Sequence, residues 1–198
     1  TPLNIACWNG YSKVAEMLLA VDDIQVNQAD ENGCTPLYGA CQRPANKILL
    51  AVNNEGIKLI AMVARQQQNS KVVEMLLAVD DILVNQANNE GTTPLHGACD
   101  EGDSKVVKML LAVDGIRVNQ VDDKGLTSLY VACHKGHFKV VKMLLAANAI
   151  QVNQATNNGS TPLYGACQNG HSKVVKMLLA VDGIQVNQAE SNGCTPLY

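Results

Sequence analysis

Aromatic side chains are scarce in this 198-residue sequence, since Phe, Trp and Tyr make up 4% of it and there is a single Trp. The core must therefore be built from Ala, Val, Leu and Met, because hydrophobic residues still account for 47%. An excess of positive charge is lacking too, and the formal net charge is −3. A nucleic-acid-binding protein needs a basic face to neutralise phosphates. The charge balance therefore argues against a nucleic acid as partner.

Long apolar runs and catalytic motifs are also missing. No stretch reaches about 18 consecutive apolar residues, the length that a membrane-spanning helix requires, so we predict no membrane insertion. The sequence has no P-loop, no G-x-G-x-x-G, no H-E-x-x-H and no G-x-S-x-G motif. We therefore expect neither an enzyme nor a cofactor, and no small-molecule substrate.

What the sequence does contain is a block of 34 residues that recurs along the chain. The clearest copies are Thr93–Leu126, Thr127–Ser160 and Thr161–Cys194, and Thr1–Cys34 is a fourth. A fixed period of this length predicts a solenoid, in which each repeat is one supersecondary unit stacked on its neighbours. Such a fold presents an extended binding surface, and it does not favour an enclosed active site.

The last full repeat predicts two helices followed by a projecting loop. Thr161 can cap the first helix, and Pro162 suits its first position because its missing N–H costs nothing there. Gly170 can end that helix in a left-handed conformation. We expect Ser172 to cap the second helix, whose Val and Leu residues recur at helical spacing. Neither short helix can bury its apolar side alone, so the repeats must stack.

The motifs of these repeats together resemble the ankyrin repeat. They are TPLHGAC at Thr93, GHSKVVKMLL at Gly170, VN at Val186 and the closing NG, and T-P-L-H-x-A is a signature of that family. The resemblance covers nearly the whole chain. It implies an all-α solenoid of helix–turn–helix repeats with projecting loops or β-hairpins. It also implies a non-catalytic module that binds a protein partner through its concave face.

Two departures from the family pattern recur. The repeat has 34 residues where the family has about 33, and we expect the extra residue in the loop after the second helix. Tyr replaces the usual His of TPLH at Tyr38, Tyr130 and Tyr164. The hydrogen bond that the family's His makes is therefore left open at these three positions.

The period fails between Thr35 and Thr92, a stretch of 58 residues. One interpretation is a single repeat with a 24-residue insertion. We favour a shortened repeat followed by one with a degenerate first helix, because Lys47–Val52 matches the end of the second helix elsewhere. This division predicts a notch in the row of loops near Asn53–Gly56.

We therefore predict one array over 1–198, divided into repeats 1–34, 35–58, 59–92, 93–126, 127–160 and 161–194, with residues 195–198 starting another. Neither end resembles the polar capping repeat that a solenoid requires. The sequence is therefore expected to be a fragment of a longer array.

Five of the seven cysteines share the seventh position of the repeat. They are Cys7, Cys41, Cys99, Cys133 and Cys167. Stacked helices lie roughly 8–10 Å apart, whereas a disulfide needs Cα atoms within about 7 Å. We therefore expect free thiols packed as small core residues, in a reducing intracellular compartment, cytoplasmic or nuclear.

Positions at which the repeats differ indicate a candidate binding surface, because side chains there do not set the fold. They are positions 8 and 9, at the end of the first helix, and positions 31, 32 and 34, in the loop tip. The candidate partner-binding residues are Trp8, Asn9, Glu31, Asn32, Gln42, Arg43, Asn89, Glu90, Asp100, Glu101, Asp123, Lys124, Leu126, His134, Lys135, Asn157, Asn158, Gln168 and Asn169. In the ankyrin family these sites form the concave binding surface, although drift on a solvated surface would vary them equally.

Trp8 stands out among these candidates because the other repeats carry polar residues at its position. An exposed Trp is typical of a binding hot spot. The alternative is that Trp8 packs against a preceding repeat.

Three weaker signals have structural alternatives. Cys133, His134 and His137 form C-H-x-x-H, but other repeats do not keep the pattern, so no metal site is predicted. Lysines on the second helix indicate either a solvated outer face or a patch for an acidic or phosphate-bearing partner. The Asn that follows Val in each loop, as in Asn187, either bonds the loop backbone or is a target of an asparagine hydroxylase, as in some ankyrin proteins.

A further alternative for the function of the whole chain is an arm that targets substrates to an enzyme domain elsewhere in a larger protein.

Overall fold

The computed structural model describes residues 1–42 and 69–196. Its helices are α1 Pro2–Trp8, α2 Ser12–Leu19, α3 Pro36–Cys41, α4 at 69–77, α5 Pro94–Glu101, α6 Ser104–Leu111, α7 Ser128–Lys135, α8 Phe138–Leu145, α9 Pro162–Gln168 and α10 Ser172–Leu179. Strand pairing in these residues is limited to one isolated bridge, between Val121 and Thr127. The predicted all-α repeat solenoid is confirmed, with loops in place of extended β-hairpins.

The helices form two parallel rows. The first helix of each repeat packs on the next in the order α1, α3, α5, α7 and α9, which we call the inner row. The second helices α6, α8 and α10 pack in the same order and belong to the outer row. The inner helices α1, α5, α7 and α9 also contact the outer helices α2, α6, α8 and α10 of their own repeats, so the two rows pack against each other.

The first helix begins as its sequence predicts. The Thr161 hydroxyl accepts a hydrogen bond from the Tyr164 N–H at 3.2 Å, and Pro162 occupies the first turn. The prediction for the second helix is wrong by one residue, because α10 is preceded by His171 and Ser172 lies in its first turn. His171 makes no capping bond, since its Nε2 lies 2.9 Å from the carbonyl oxygen of His134 in the preceding repeat.

Small and branched aliphatic side chains form one continuous core between the two rows. Cys7, Cys41, Cys99 and Cys133 lie within it, which confirms the core position predicted for the repeated cysteine. Cys167, in the last full repeat, is only half-buried. Burial raises the pKa of the Cys7 thiol to about 12, so the thiol there is neutral and packs as a small apolar group.

The described parts of the irregular stretch 35–92 form a single unit of the stack. α3 contacts α1 on one side and α5 on the other, so no further inner helix separates them. The side chain of Asn27 donates to the carbonyl of Asp81 at 2.7 Å, as Asn85 does to Gly115 in the next repeat. The first pair is 54 residues apart and the second 30, a difference of 24.

These contacts are the ones that one repeat with a 24-residue insertion would make. The division into a shortened and a degenerate repeat stays a prediction. The first helix of that degenerate repeat and the notch near Asn53–Gly56 fall outside the described residues.

Candidate partner-binding surface

The candidate residues at positions 8 and 9 lie side by side at the ends of the inner helices. The structure places Trp8, Asn9, Gln42, Asp100, Glu101, His134, Lys135, Gln168 and Asn169 there, all half-buried or exposed. Arg43 lies outside the described residues. The Asn9 and Asn169 amides donate to carbonyls one turn back in their own helices, at 2.8 and 2.9 Å. The other side chains at these two positions are at least partly accessible along the inner row.

The candidates at positions 31 and 32 form a second row at the loop tips. Glu31, Asn32, Asn89, Glu90, Asp123, Lys124, Asn157 and Asn158 are all exposed, and Leu126 at position 34 is half-buried. Successive tips are joined by backbone hydrogen bonds, from Asn89 N–H to the Asn32 carbonyl at 2.9 Å and from Asn157 N–H to the Lys124 carbonyl at 3.0 Å. We call this continuous row the tip ribbon.

Two tip residues also have a structural role that the sequence did not reveal. The amide of Asn89 donates to the Glu31 carbonyl at 3.0 Å, and the amide of Asn157 donates to the Asp123 carbonyl at 2.9 Å. These side chains therefore hold neighbouring repeats together. Both side chains are still exposed and can contact a partner.

The fourth position of the repeat also links the inner helix to the tip. His96 Nδ1 accepts from the Thr93 N–H at 3.2 Å, and its Nε2 lies 2.9 Å from the Leu126 carbonyl. With Nδ1 accepting, Nε2 carries the proton and donates to that carbonyl. Asn4 makes the corresponding bond to the carbonyl of Cys34 at 2.8 Å.

The Tyr residues at this position do not all replace the histidine link in the same way. Burial raises the pKa of Tyr130, and a hydrogen bond to the Ser160 side chain partly offsets that rise. Ser160 and Leu126 occupy the same position of their repeats. Tyr130 thus faces the residue whose carbonyl the histidine would contact, whereas the side-chain hydrogen bond of Tyr38 is to Gln42 of its own repeat.

The two helical rows, the Thr–His capping box on α5 and the bonded tips form the same unit in successive repeats. A family model described as ankyrin repeats (3 copies) matches residues 45–122 and 114–190, which is more than half of the chain. The chain belongs to the ankyrin repeat family. Ankyrin repeats are generally protein–protein interaction modules, and they are typically non-catalytic.

Trp8 of this ankyrin array packs on the repeat that follows it. A Cβ atom added at Gly39 would lie 3.4 Å from the indole Cε3, so the ring covers that glycine closely. A Cβ atom added at Gly97 would likewise lie 3.4 Å from the Cβ of Gln42. Trp8 therefore packs on the next repeat, and its indole is half-buried. Packing against a preceding repeat stays a prediction.

The recurring glycine at position 5 was not recognised in the sequence as part of the site. Its role follows only from these contacts, because Gly39 and Gly97 make room for position 8 of the preceding repeat and Gly165 makes room for the Tyr130 ring. The signal was present in Gly39, Gly97 and Gly165, which alternate with larger residues such as Val131 at the same position.

Further along the ankyrin array, candidate side chains contact other residues, either across repeats or within one helix. Lys135 Nζ lies 3.0 Å from Asp100 Oδ1, and both side chains are more than a third exposed. The rings of Tyr130 and His134 stack with centroids 5.9 Å apart. An exposed ion pair contributes little to stability, so these charges can exchange partners on binding at small cost.

His134 and His137, which a C-H-x-x-H motif would bring to a metal, have separate surroundings. His134 stacks on Tyr130, whereas Nε2 of His137 lies 2.9 Å from the Asp100 carbonyl of the preceding repeat. Over residues 1–42 and 69–196, no group of three or more His, Cys, Asp or Glu side chains could hold a metal ion. None of the described helices combines the length and hydropathy needed to cross a bilayer.

We expect the stability of this ankyrin array to decrease on acidification because of His96. Burial lowers its pKa from the ordinary value of 6.5, and hydrogen bonds to backbone carbonyls only partly compensate. The unfolded chain then binds a proton where the folded chain does not. The stabilisation is complete above 6.5 and is lost as the pH falls through the folded pKa.

The measurement is urea unfolding at several pH values between 7 and 5, with His96→Asn as the comparison. Asn has no titrating ring and makes the equivalent bond at Asn4. The wild type should lose more stability than the variant over this range. Equal losses in both proteins would show that His96 does not contribute.

Proposed function

We propose that this ankyrin array is a non-catalytic protein-interaction module whose concave face, formed by the inner-helix ends and the tip ribbon, binds a protein partner. One observation carries the proposal, namely that residues at the ends of inner helices line clefts together with position 34 of the loop. Trp8 and Asn9 line a cleft of about 180 Å³ together with Asp30 and Cys34 of the tip. At the other end, Gln168 shares a cleft with Cys194.

The charges of the tip ribbon indicate the chemistry of that partner. Glu31, Glu90 and Asp123 are exposed in consecutive repeats, with Lys124 as the opposite charge next to Asp123. Complementary potentials steer association and determine which partner is accepted. We therefore expect the segment that lies along the first three tips to be basic.

The test compares pull-downs with wild type, the tip variant E31K/E90K/D123K and a control, D22K/D80K/D114K. The control makes the same charge change at exposed turn residues after the second helices. Proteins captured by wild type and control, and lost with the tip variant, are the expected result. Equal loss with both triple variants would point to net charge and not to this surface.

Trp8 offers a second measurement once a partner is identified. We expect Trp8→Ala to weaken binding by more than about 1 kcal/mol, which is more than about fivefold in Kd, because truncated hot-spot aromatics have effects of this size. Stability should fall modestly, since the indole also covers Gly39. Unchanged affinity with lower stability would assign Trp8 to packing alone.

Two alternatives use the same repeats differently. An array that delivers substrates to an enzyme domain elsewhere in a larger protein would bind through the same surface, and the full-length sequence distinguishes that case. A substrate of an asparagine hydroxylase would be modified at the Val–Asn sites. Asn119 and Asn153 have their amides bonded to the next repeat, whereas Asn187 has no side-chain hydrogen bond among the described residues. Mass spectrometry at the Val–Asn sites tests this alternative.

A further inference from the structure

The outer row carries a regular group of lysines on its last three helices. Positions 13 and 16 of the repeat are three residues apart, so they share one face of each helix. On α6 the opposite face is formed by Val106, Val107 and Leu110, which are buried. The exposed residues are Lys105, Lys108, Lys139, Lys142, Lys173 and Lys176, which we call the lysine grid.

The lysine grid is not neutralised by the protein itself. None of its six ammonium groups forms an ion pair with a described acidic side chain, whereas Lys135 on the inner row does so with Asp100. Lys173 is 5.4 Å from the centre of the Phe138 ring, a cation–π contact that leaves its charge in place. The grid is thus a basic surface on a protein whose net charge is −3.

The grid is limited to the last three repeats by a change of charge at position 16. The first two repeats have Glu16 and Glu74 there, three residues after Lys13 and Lys71. All four of these side chains are exposed, so the fold accepts either charge. The lysines of the last three repeats are therefore not required for folding, which leaves them available for binding.

The spacing of the grid selects one kind of ligand. Packed helices lie roughly 8–10 Å apart, so a pair of lysines recurs at about that interval across α6, α8 and α10. A polyproline II chain has three residues per turn and rises about 3.1 Å per residue. An acidic residue at every third position of such a chain therefore presents a carboxylate about every 9 Å on one side.

We propose that the lysine grid binds an acidic, extended segment of a partner protein, with Asp or Glu at every third position. The segment lies across α6, α8 and α10, and each carboxylate meets the lysine pair of one helix. This second surface lies on the outer helices and shares no residue with the inner-helix ends or the tip ribbon. Duplex nucleic acid fits less well, because its phosphates continue beyond the grid and meet Asp114, Asp182, Glu16 and Glu74.

The experiment measures fluorescence anisotropy of a labelled peptide with four Glu-Pro-Pro triplets, titrated with the full chain. A peptide of the same composition with its four Glu residues in one block is the control ligand. We expect the periodic peptide to bind at least about threefold more tightly than the block peptide. Its affinity should fall as salt is raised from 50 to 200 mM, because exposed charges are screened.

The decisive variant is K108E/K142E/K176E, which gives the last three repeats the charge pattern of the first two. It should lower affinity for the periodic peptide at least tenfold, while K13E/K71E/R117E, with the same charge change elsewhere, stays within about twofold. Thermal unfolding by circular dichroism verifies that both variants are folded. Wild-type affinity in the first variant overturns the proposal. Tighter grid-dependent binding to phosphatidylserine vesicles or to a DNA duplex than to the peptide overturns it equally.

Discussion

Gly125→Ala should destabilise the array by about 3 kcal/mol. Gly125 has a φ of +75°, and an added Cβ would lie 2.7 Å from the backbone nitrogen of Asn157 in the next repeat. The left-handed conformation costs Ala about 1 kcal/mol, and a clash with backbone that cannot move aside adds about 1–3 kcal/mol. The displaced tip would also lose the hydrogen bond from Asn157 N–H to the Lys124 carbonyl. Urea unfolding followed by circular dichroism measures the change.

Gly193 provides a control at the same position of its own repeat. Its φ is +82°, and nothing lies within 4 Å of the added Cβ. Gly193→Ala should therefore cost only the conformational part, about 1 kcal/mol. If both substitutions cost the same, the contact between tips does not contribute, and the tip ribbon is not a rigid connection.

Asn119→Ala should have the second-largest effect, about 2 kcal/mol. Its amide donates to the Ala149 carbonyl at 2.7 Å and its oxygen accepts from the Gln151 N–H at 2.9 Å. Both partners belong to the turn of the next repeat, so one side chain joins two repeats. A hydrogen bond contributes about 0.5–1.5 kcal/mol net, and Ala at this position removes two.

Asn187→Ala is the matched substitution for this second prediction. Asn187 occupies the same repeat position, is exposed, and has no side-chain hydrogen bond among the described residues. Its replacement should change the free energy of unfolding by less than about 0.5 kcal/mol. A loss at Asn187 as large as that at Asn119 would contradict a role in joining repeats.

The local elements were predictable because their signals lie within a few residues. Thr161 and Pro162 begin α9 as expected, and the repeated cysteine lies in the core wherever a following repeat covers it. Ser172 was taken as a cap because Ser is a good capping residue. The preceding histidine could not be recognised as the true boundary residue, since its partner, the His134 carbonyl, is 37 residues away.

The candidate surface was predictable only as a set of positions. Variation among repeats selected side chains that the structure leaves at least partly accessible, with Arg43 outside the described residues. It could not show that Asn89 and Asn157 also join neighbouring tips, or that Trp8 rests on Gly39. Those roles depend on which residues of the next repeat come into contact.

The sequence by itself determined the repeat, its helix pair, the cap of its first helix and its aliphatic core, because each follows from periodicity and from turn chemistry within one unit. The tertiary structure decided how the units join. It placed α3 directly against α5, so that the described parts of the stretch from Thr35 to Thr92 lie at one level of the stack. It also determined which residues the Asn27 and Asn119 side chains bond. It brought the lysine pairs of the outer row next to one another. The physical reason is that stacking brings together residues some 30 to 58 positions apart, and no local pattern encodes which of them will meet.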